Sequence, residues 1–190
     1  MANEFKKLYS IMVRISISSL NKAGASAVSR VTRMVREGYN IKKKWIDDRI
    51  KQVKVKSVRH NIDDIIYTIK ISTASIPIIL FKPKQLGIRK PGQKRRKNRR
   101  AGVKVRIKKG EPTFVEQAFI ANMKYGEMAF KRETEARGPV FALKAGPSVS
   151  QLFSSDQAMT ALEKEATDRF AEIFLQKLEY ETNKLSDSNK

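Results

Sequence analysis

Cysteine is absent from this chain of 190 residues. That excludes disulfides, thiolate metal sites and cysteine nucleophiles together, and it suits folding in a reducing cytosol. Histidine is almost absent as well. His60 is the only one, so a histidine-rich metal centre is excluded, and nothing at a useful spacing pairs with His60 to make it a base. Long apolar runs are missing too. The densest, Ile76-Pro77-Ile78-Ile79-Leu80-Phe81, falls far short of the roughly 20 residues that span a membrane. Met1 to Tyr9 carries Glu4, Lys6 and Lys7 with no clean apolar stretch behind it, which does not fit a signal peptide. The chain is expected to be soluble or part of a larger particle, with no membrane partner. Catalytic patterns are also lacking: there is no G-x-S-x-G, no P-loop and no spaced carboxylate pair. Asp47-Asp48 and Asp63-Asp64 are adjacent carboxylates, and adjacent side chains on a helix point in different directions. The expectation is a protein that is not an enzyme, with no catalytic residue, no metal and no cofactor.

What is present is basic charge over a foldable core. Hydrophobic residues make up 41% of the chain, enough to bury a core and escape wholesale disorder. The length fits one domain, residues 1–190. Forty Lys and Arg stand against 19 Asp and Glu, a formal charge of +21. A surplus of that size repels itself unless a polyanion lies nearby, and nucleic acid is the commonest such partner.

Periodicity gives the coarse fold. Phe5, Leu8, Met12 and Ile15 share one helical face. Ser16-Ile17-Ser18-Ser19 then interrupts, and Ser19 is placed to cap a new helix. That helix carries a stripe of Leu20, Ala23, Ala27, Val31, Met34 and Val35, with Lys22, Arg30, Arg33 and Arg36 elsewhere, and Gly38 ends it. Asn40 reads as the cap of a third helix bearing Ile41, Trp45, Ile46 and Ile50. Lys42, Lys43 and Lys44 lie in its first turn, where they oppose the helix dipole. They form a secondary basic face with either an anionic partner or plain solvent. Strands are expected around Val53–Val58, Ile65–Ile71, Ile76–Phe81, Val103–Ile107, Thr113–Ala121 and Glu127–Lys131, with Gly126 in a hairpin turn. A turn-rich stretch through Gly138-Pro139 and Gly146-Pro147 follows. A final helix runs from Asp156 to Lys184 on the stripe Met159, Leu162, Ala166, Phe170, Ile173, Phe174 and Leu178, and Ser154 and Gln157 have capping-box spacing. The class is α+β: N-terminal helices, a central and mostly antiparallel sheet, and a C-terminal amphipathic helix.

The charge is concentrated. Lys82 to Lys109 holds 14 Lys or Arg and no Asp or Glu. Gly87, Pro91-Gly92 and Gly102 flank its densest part, and strand candidates lie on both sides. Residues 82–109 are therefore expected to form a long basic, hairpin-like excursion with a mobile tip. Lys90, Lys94, Arg95, Arg96, Lys97, Arg99, Arg100, Lys104 and Arg106 are the expected contacts to DNA, another polyanion or a partner. No aromatics interleave with them, so phosphate contact without base readout is expected rather than stacking. A localisation-like or solubilising segment is the blander alternative. In contrast, Ser154 to Lys190 has 8 acidic and 5 basic residues, a net of 5 − 8 = −3. Opposite poles of this kind suit head-to-tail association.

Four stretches, taken in order, resemble a known family. They are Lys22-Ala23-Gly24-Ala25-Ser26-Ala27-Val28-Ser29-Arg30-Val31, leading into the basic helix of Ile41 to Lys51; the all-basic Lys94 to Arg100; Val115-Glu116-Gln117-Ala118-Phe119-Ile120-Ala121; and Gly146-Pro147-Ser148-Val149 before the last helix. From Leu20 onward the chain resembles the minor tail protein Z family, the tail completion proteins of long-tailed bacteriophages. The resemblance implies a non-enzymatic structural protein of the virion, made in the host cytoplasm. It would join the head-proximal end of the tail or neck beside a tail terminator, tube or head-tail connector. It would form a homo-oligomeric ring, a hexamer by expectation, around the DNA channel. The alternative left by composition is a cellular nucleic-acid-binding protein without sequence preference, associated with the ribosome or nucleoid.

Overall fold

A computed structural model describes residues 2–56, 65–87, 102–124, 126–132 and 139–187. The fold is α+β, with a helix at each end and antiparallel strand pairs between. The chain forms two compact units. The first comprises Met1–Met34, Asp47–Ile71 and Phe153–Lys190; the second comprises Val35–Ile46 and Ser72–Leu152.

The N-terminal helix, α1, is continuous over Ala2–Gly38, so the break expected at Ser16–Ser19 does not occur. Serine inside a helix costs only about 0.5 kcal/mol. A single face carrying buried Ile15, Ala23, Ala27 and Val31 outweighs that. Ser19 is accordingly no cap: it is fully buried in mid-helix, and its hydroxyl has no hydrogen-bond partner. Gly38 does end the helix. Within the first unit α1 faces the C-terminal helix α4 (Asp156–Asp187). Arg14 meets Glu181 at 2.5 Å, the Lys177 ammonium donates to the Ser18 hydroxyl, and the Ser26 hydroxyl donates to Glu165 at 2.7 Å. Partners descend α4 as they ascend α1, so the helices run antiparallel. Strands β1 (Ile50–Val53) and β2 (Thr68–Ile71) form a two-stranded ladder in this unit. Asn21 ties it to α1: its amide donates to the Val55 carbonyl at 2.8 Å and accepts from the Val55 N–H at 2.9 Å. Gly24 explains itself here. A Cβ at that position would lie 2.3 Å from the Tyr67 ring, so close packing of the ring overrides the helix cost of glycine.

The second unit holds the remaining strands and two short helices. α2 covers only Lys43–Asp47, shorter than the helix expected from Ile41 to Ile50, because Ile50 begins β1. β3 (Ser75–Pro77) is followed by a 3-10 turn over Ile78–Phe81, where the sequence suggested one strand through Phe81. The i,i+3 spacing of that turn aligns Ile78 and Phe81, and both are buried. β4 (Lys84–Leu86), β5 (Gly102–Val105) and β6 (Thr113–Glu116) form one sheet. β7 (Ala118–Met123), β8 (Gly126–Arg132) and β9 (Val140–Ala142) form another. The strand expected over Thr113–Ala121 is thus two strands, parted at Gln117, whose φ of +60° is a left-handed kink. Gly126 turns between β7 and β8 at φ +94°, as its position suggested. Of the stretch read as turn-rich, Gly138 lies outside the described residues and the part from Val140 on is largely strand: β9 is followed by β10 (Lys144–Ser148), which pairs with β3 across a register shift. That irregularity accommodates Pro147, which has no N–H to give a ladder. Ser148 and Gln151 then exchange capping bonds at the start of α3 (Val149–Phe153). Gln151 Oε1 accepts from Ser148 N at 2.8 Å, and Gln151 N donates to Ser148 Oγ at 3.3 Å. Ile76, Val103, Val105, Ala118, Ala129 and Val149 form the buried centre of this unit.

Gly102 is closely packed in the β4–β5–β6 sheet. A Cβ there would lie 2.5 Å from both the Val115 carbonyl oxygen and the Phe114 ring. Gly102→Ala should therefore destabilise the protein by about 1–3 kcal/mol through overpacking. Thermal unfolding should show a midpoint lower by several degrees, whereas an unchanged midpoint would mean this approach is looser than described.

Candidate polyanion site

The C-terminal end of α1 and the segment after β5 are stitched together by main-chain bonds. Asn40 N donates to the Ile107 carbonyl at 2.9 Å, and Lys109 N donates to the Gly38 carbonyl at 3.0 Å. Tyr39 and Lys108 form an antiparallel bridge. The Asn40 amide donates to the carbonyls of Arg106 at 3.0 Å and Lys108 at 3.4 Å. Asn40 is therefore not the N-cap that its position suggested. Its side chain holds the basic segment instead, and Gly110, at φ +87°, lets that segment turn away.

Strand alternation does the rest. On β5, Val103 and Val105 are buried, so Lys104 points to the opposite face. Lys104 stands directly across from Lys84 on β4. Like charges facing each other in a ladder are unfavourable. Lys82, just before β4, takes a left-handed backbone at φ +49° as it closes the 3-10 turn, a conformation costing about 1–2 kcal/mol outside glycine.

These elements enclose a groove of about 720 Å³ lined by Arg36, Lys42, Lys82, Lys84, Lys104, Arg106 and Lys109, with Tyr39, Ile41, Leu80 and Phe81 among them. Seven cations line it and no carboxylate does. All seven are exposed, and none takes part in an ion pair among the described residues. Such a groove concentrates positive potential and suits an anion with several charges.

The structure brings together Lys42, Lys104 and Arg106 from the residues expected to meet a polyanion. Lys43 and Lys44 are exposed on α2 but do not line the groove. Lys90, Lys94, Arg95, Arg96, Lys97, Arg99 and Arg100 lie outside the described residues. The strands that bracket them, β4 and β5, are antiparallel neighbours. Sequence reasoning did not nominate Arg36, Lys82, Lys84 or Lys109. Three of these sit inside the all-basic stretch, but nothing in the sequence shows that it doubles back on the end of α1.

The first unit handles its charge differently. There Arg169 bonds Glu165 at 3.3 Å and Glu172 at 2.8 Å. The Glu165 carboxyl is held below its ordinary pKa, first by the Ser26 hydroxyl and then by Arg169 and Arg30, with burial opposing. No group of three metal-ligating side chains exists among the described residues, and no helix among them is long and apolar enough to cross a membrane.

The chain matches the family model of prophage minor tail protein Z over residues 3–184. It belongs to that family. No curated protein and no solved structure is detectably similar to it. Membership gives the chain a structural role in a phage tail, a place in the virion and other tail proteins as neighbours. The match begins well before Leu20, so nearly all of α1 and of α4 fall within the family's extent.

Two outcomes follow from these contacts. Asn40→Ala should cost about 0.5–1.5 kcal/mol, because two exposed carbonyls exchange their side-chain donor for water, and amide exchange should speed up at Lys109. Because the folded Glu165 pKa is depressed, its contribution to stability is present above the unfolded pKa. It is lost as pH falls through the folded one. Ser26→Ala should move that titration upward, as followed by carboxyl NMR, and an unmoved titration would discount the hydroxyl bond.

Proposed function

We propose that this chain is a tail completion protein that joins the head-proximal end of the tail as a ring around the DNA path. The groove and the 88–101 segment of each copy would meet a polyanion there. Family membership supplies the tail role. The observation that carries the rest is the groove itself: seven cations from α1, the link to α2, the residue that closes the 3-10 turn, β4, β5 and the segment after it, with no carboxylate among them. Ring closure multiplies such a site by the number of copies, which suits a ligand that presents repeated charge. DNA phosphates fit this pattern, since contact with them needs cations and no base-reading side chains. In this reading the protein acts by binding and positioning, and no step of chemistry is assigned to it.

The test is a pair of variants introduced into the prophage. One carries Lys84→Ala, Lys104→Ala and Arg106→Ala; the other carries Arg95→Ala, Arg96→Ala, Arg99→Ala and Arg100→Ala. Lys84, Lys104 and Arg106 are exposed, so each of those substitutions should change stability by less than about 0.5 kcal/mol; circular dichroism and the thermal midpoint are measured on both variants, and a fold close to the parent's is required of each. Infectious particles released after induction should fall at least about tenfold, the equivalent of roughly 1.4 kcal/mol lost from an assembly step. Electron microscopy should show tails and heads unjoined. Normal titres from both variants would contradict the assigned role of the basic surface.

A further inference from the structure

The cations of the groove are ordered as well as collected. The register of β4 and β5 sets Lys84 beside Lys104, and such neighbours stand roughly 5 Å apart at Cβ. One same-face step further in that register brings Lys82 beside Arg106, and all four side chains line the groove. Along an extended strand the step from Lys104 to Arg106 is roughly 6.6 Å. The four cations thus form two rows of two, each row bridging the two segments. Backbone bonds fix the second row. The Arg106 carbonyl accepts from the Asn40 amide at 3.0 Å. Lys82, in its left-handed conformation, donates its N–H to the Ile79 carbonyl at 3.1 Å. A residue other than glycine keeps such a conformation only where its surroundings require it.

No ion pair among the described residues neutralises these rows. Lys104 is flanked by Lys84 on one side and by Phe114 of β6 on the other. The next row on the same sheet face holds Leu86, Gly102 and Glu116, so the carboxylate there stands across from glycine rather than from a lysine. Like charges set opposite each other are destabilising, and each row therefore gains from an anion placed between its two cations. A ligand that meets both rows must carry anions at a regular step. A nucleic-acid strand does so: neighbouring phosphates lie close to the step between the rows, each exposes two oxygens, and the backbone between them needs no pairing. A protein segment would need carboxylates at alternate positions of a strand, and partners for its own N–H and C=O groups.

We infer that these two rows seat two consecutive phosphates of one nucleic-acid strand. Lys84 and Lys104 share one phosphate; Lys82 and Arg106 share the next. The inference rests on the reading that the groove meets a polyanion, and it adds the ligand's chemistry and the ratio of two cations to each phosphate. Arg36, Lys42 and Lys109 stand outside the seat and contribute through the field of the groove. The four side chains meet phosphate oxygens alone, so the seat is indifferent to base sequence.

Salt dependence counts the phosphates. The logarithm of affinity for duplex DNA falls with the logarithm of salt by about 0.9 for each phosphate neutralised. The full chain is titrated with a short duplex of arbitrary sequence over a range of salt. Lys84→Gln with Lys104→Gln should flatten that slope by about 0.9, Lys82→Gln with Arg106→Gln by the same amount, and all four together by about 1.8. Removing like charges relieves repulsion, so the thermal midpoint of the Lys84 and Lys104 variant should be no lower than the parent's. A loss of about 1.8 from the first pair alone would give each lysine its own phosphate and overturn the shared seat. An unchanged slope would overturn the seat altogether. A glutamate oligomer whose affinity falls in these variants while that of the duplex does not would replace phosphate with carboxylate. Loss of titre in the Lys84, Lys104 and Arg106 variant beside any of these three results would leave the polyanion reading standing without the seat. Normal titres from both assembly variants would remove that reading as well.

Discussion

Unbalanced positive charge is the constraint on which this protein turns. Forty cations and 19 carboxylates must share one fold, and the two units deal with them in opposite ways. In the first, carboxylates of α4 reach Arg14 and Arg169, so these two arginines are answered within the unit. In the second, β-pairing sets Lys84 opposite Lys104, and the chain folds back to add Arg36, Lys42, Arg106 and Lys109. Solvent and salt screen exposed charges of this kind, which is why the fold tolerates them. Convergence without any carboxylate leaves the cations of that groove unanswered by any acid among its lining residues.

The groove depends on backbone as much as on charge. Long cationic side chains are flexible and place themselves poorly. What gives the site a shape is the main-chain stitching between residues 38–40 and 106–109, reinforced by the Asn40 amide. Alternation on β5 then sends Lys104 one way and two valines into the core. The packing of the second unit and the geometry of its cationic face are therefore one arrangement, and neither changes without the other.

Much of this was legible in the sequence, for reasons that differ by element. The long terminal helices announced themselves through apolar stripes, and the tally of 14 cations between Lys82 and Lys109 marked the basic region outright. Local signals failed where tertiary packing overrode them. Ser16–Ser19 resembles a break, yet burial of Ile15 and Ala23 on either side carries the helix through. Gln117 gives no sign of a left-handed kink, and a single strand is the natural reading until Gly102 is seen pressed against Val115. Asn40 is an ordinary N-cap by position and a long-range clamp in fact. Arg36 joined the groove because residues 66 or more apart in sequence meet at the end of α1, and periodicity carries no information at that range.

A reconstruction of intact tails by electron cryomicroscopy tests the central claim most directly. The account predicts this chain at the head-proximal end, in several symmetry-related copies, with Lys84, Lys104 and Arg106 turned toward nucleic acid or an acidic neighbouring protein. A single copy, or copies whose cationic groove opens only to solvent, would contradict it.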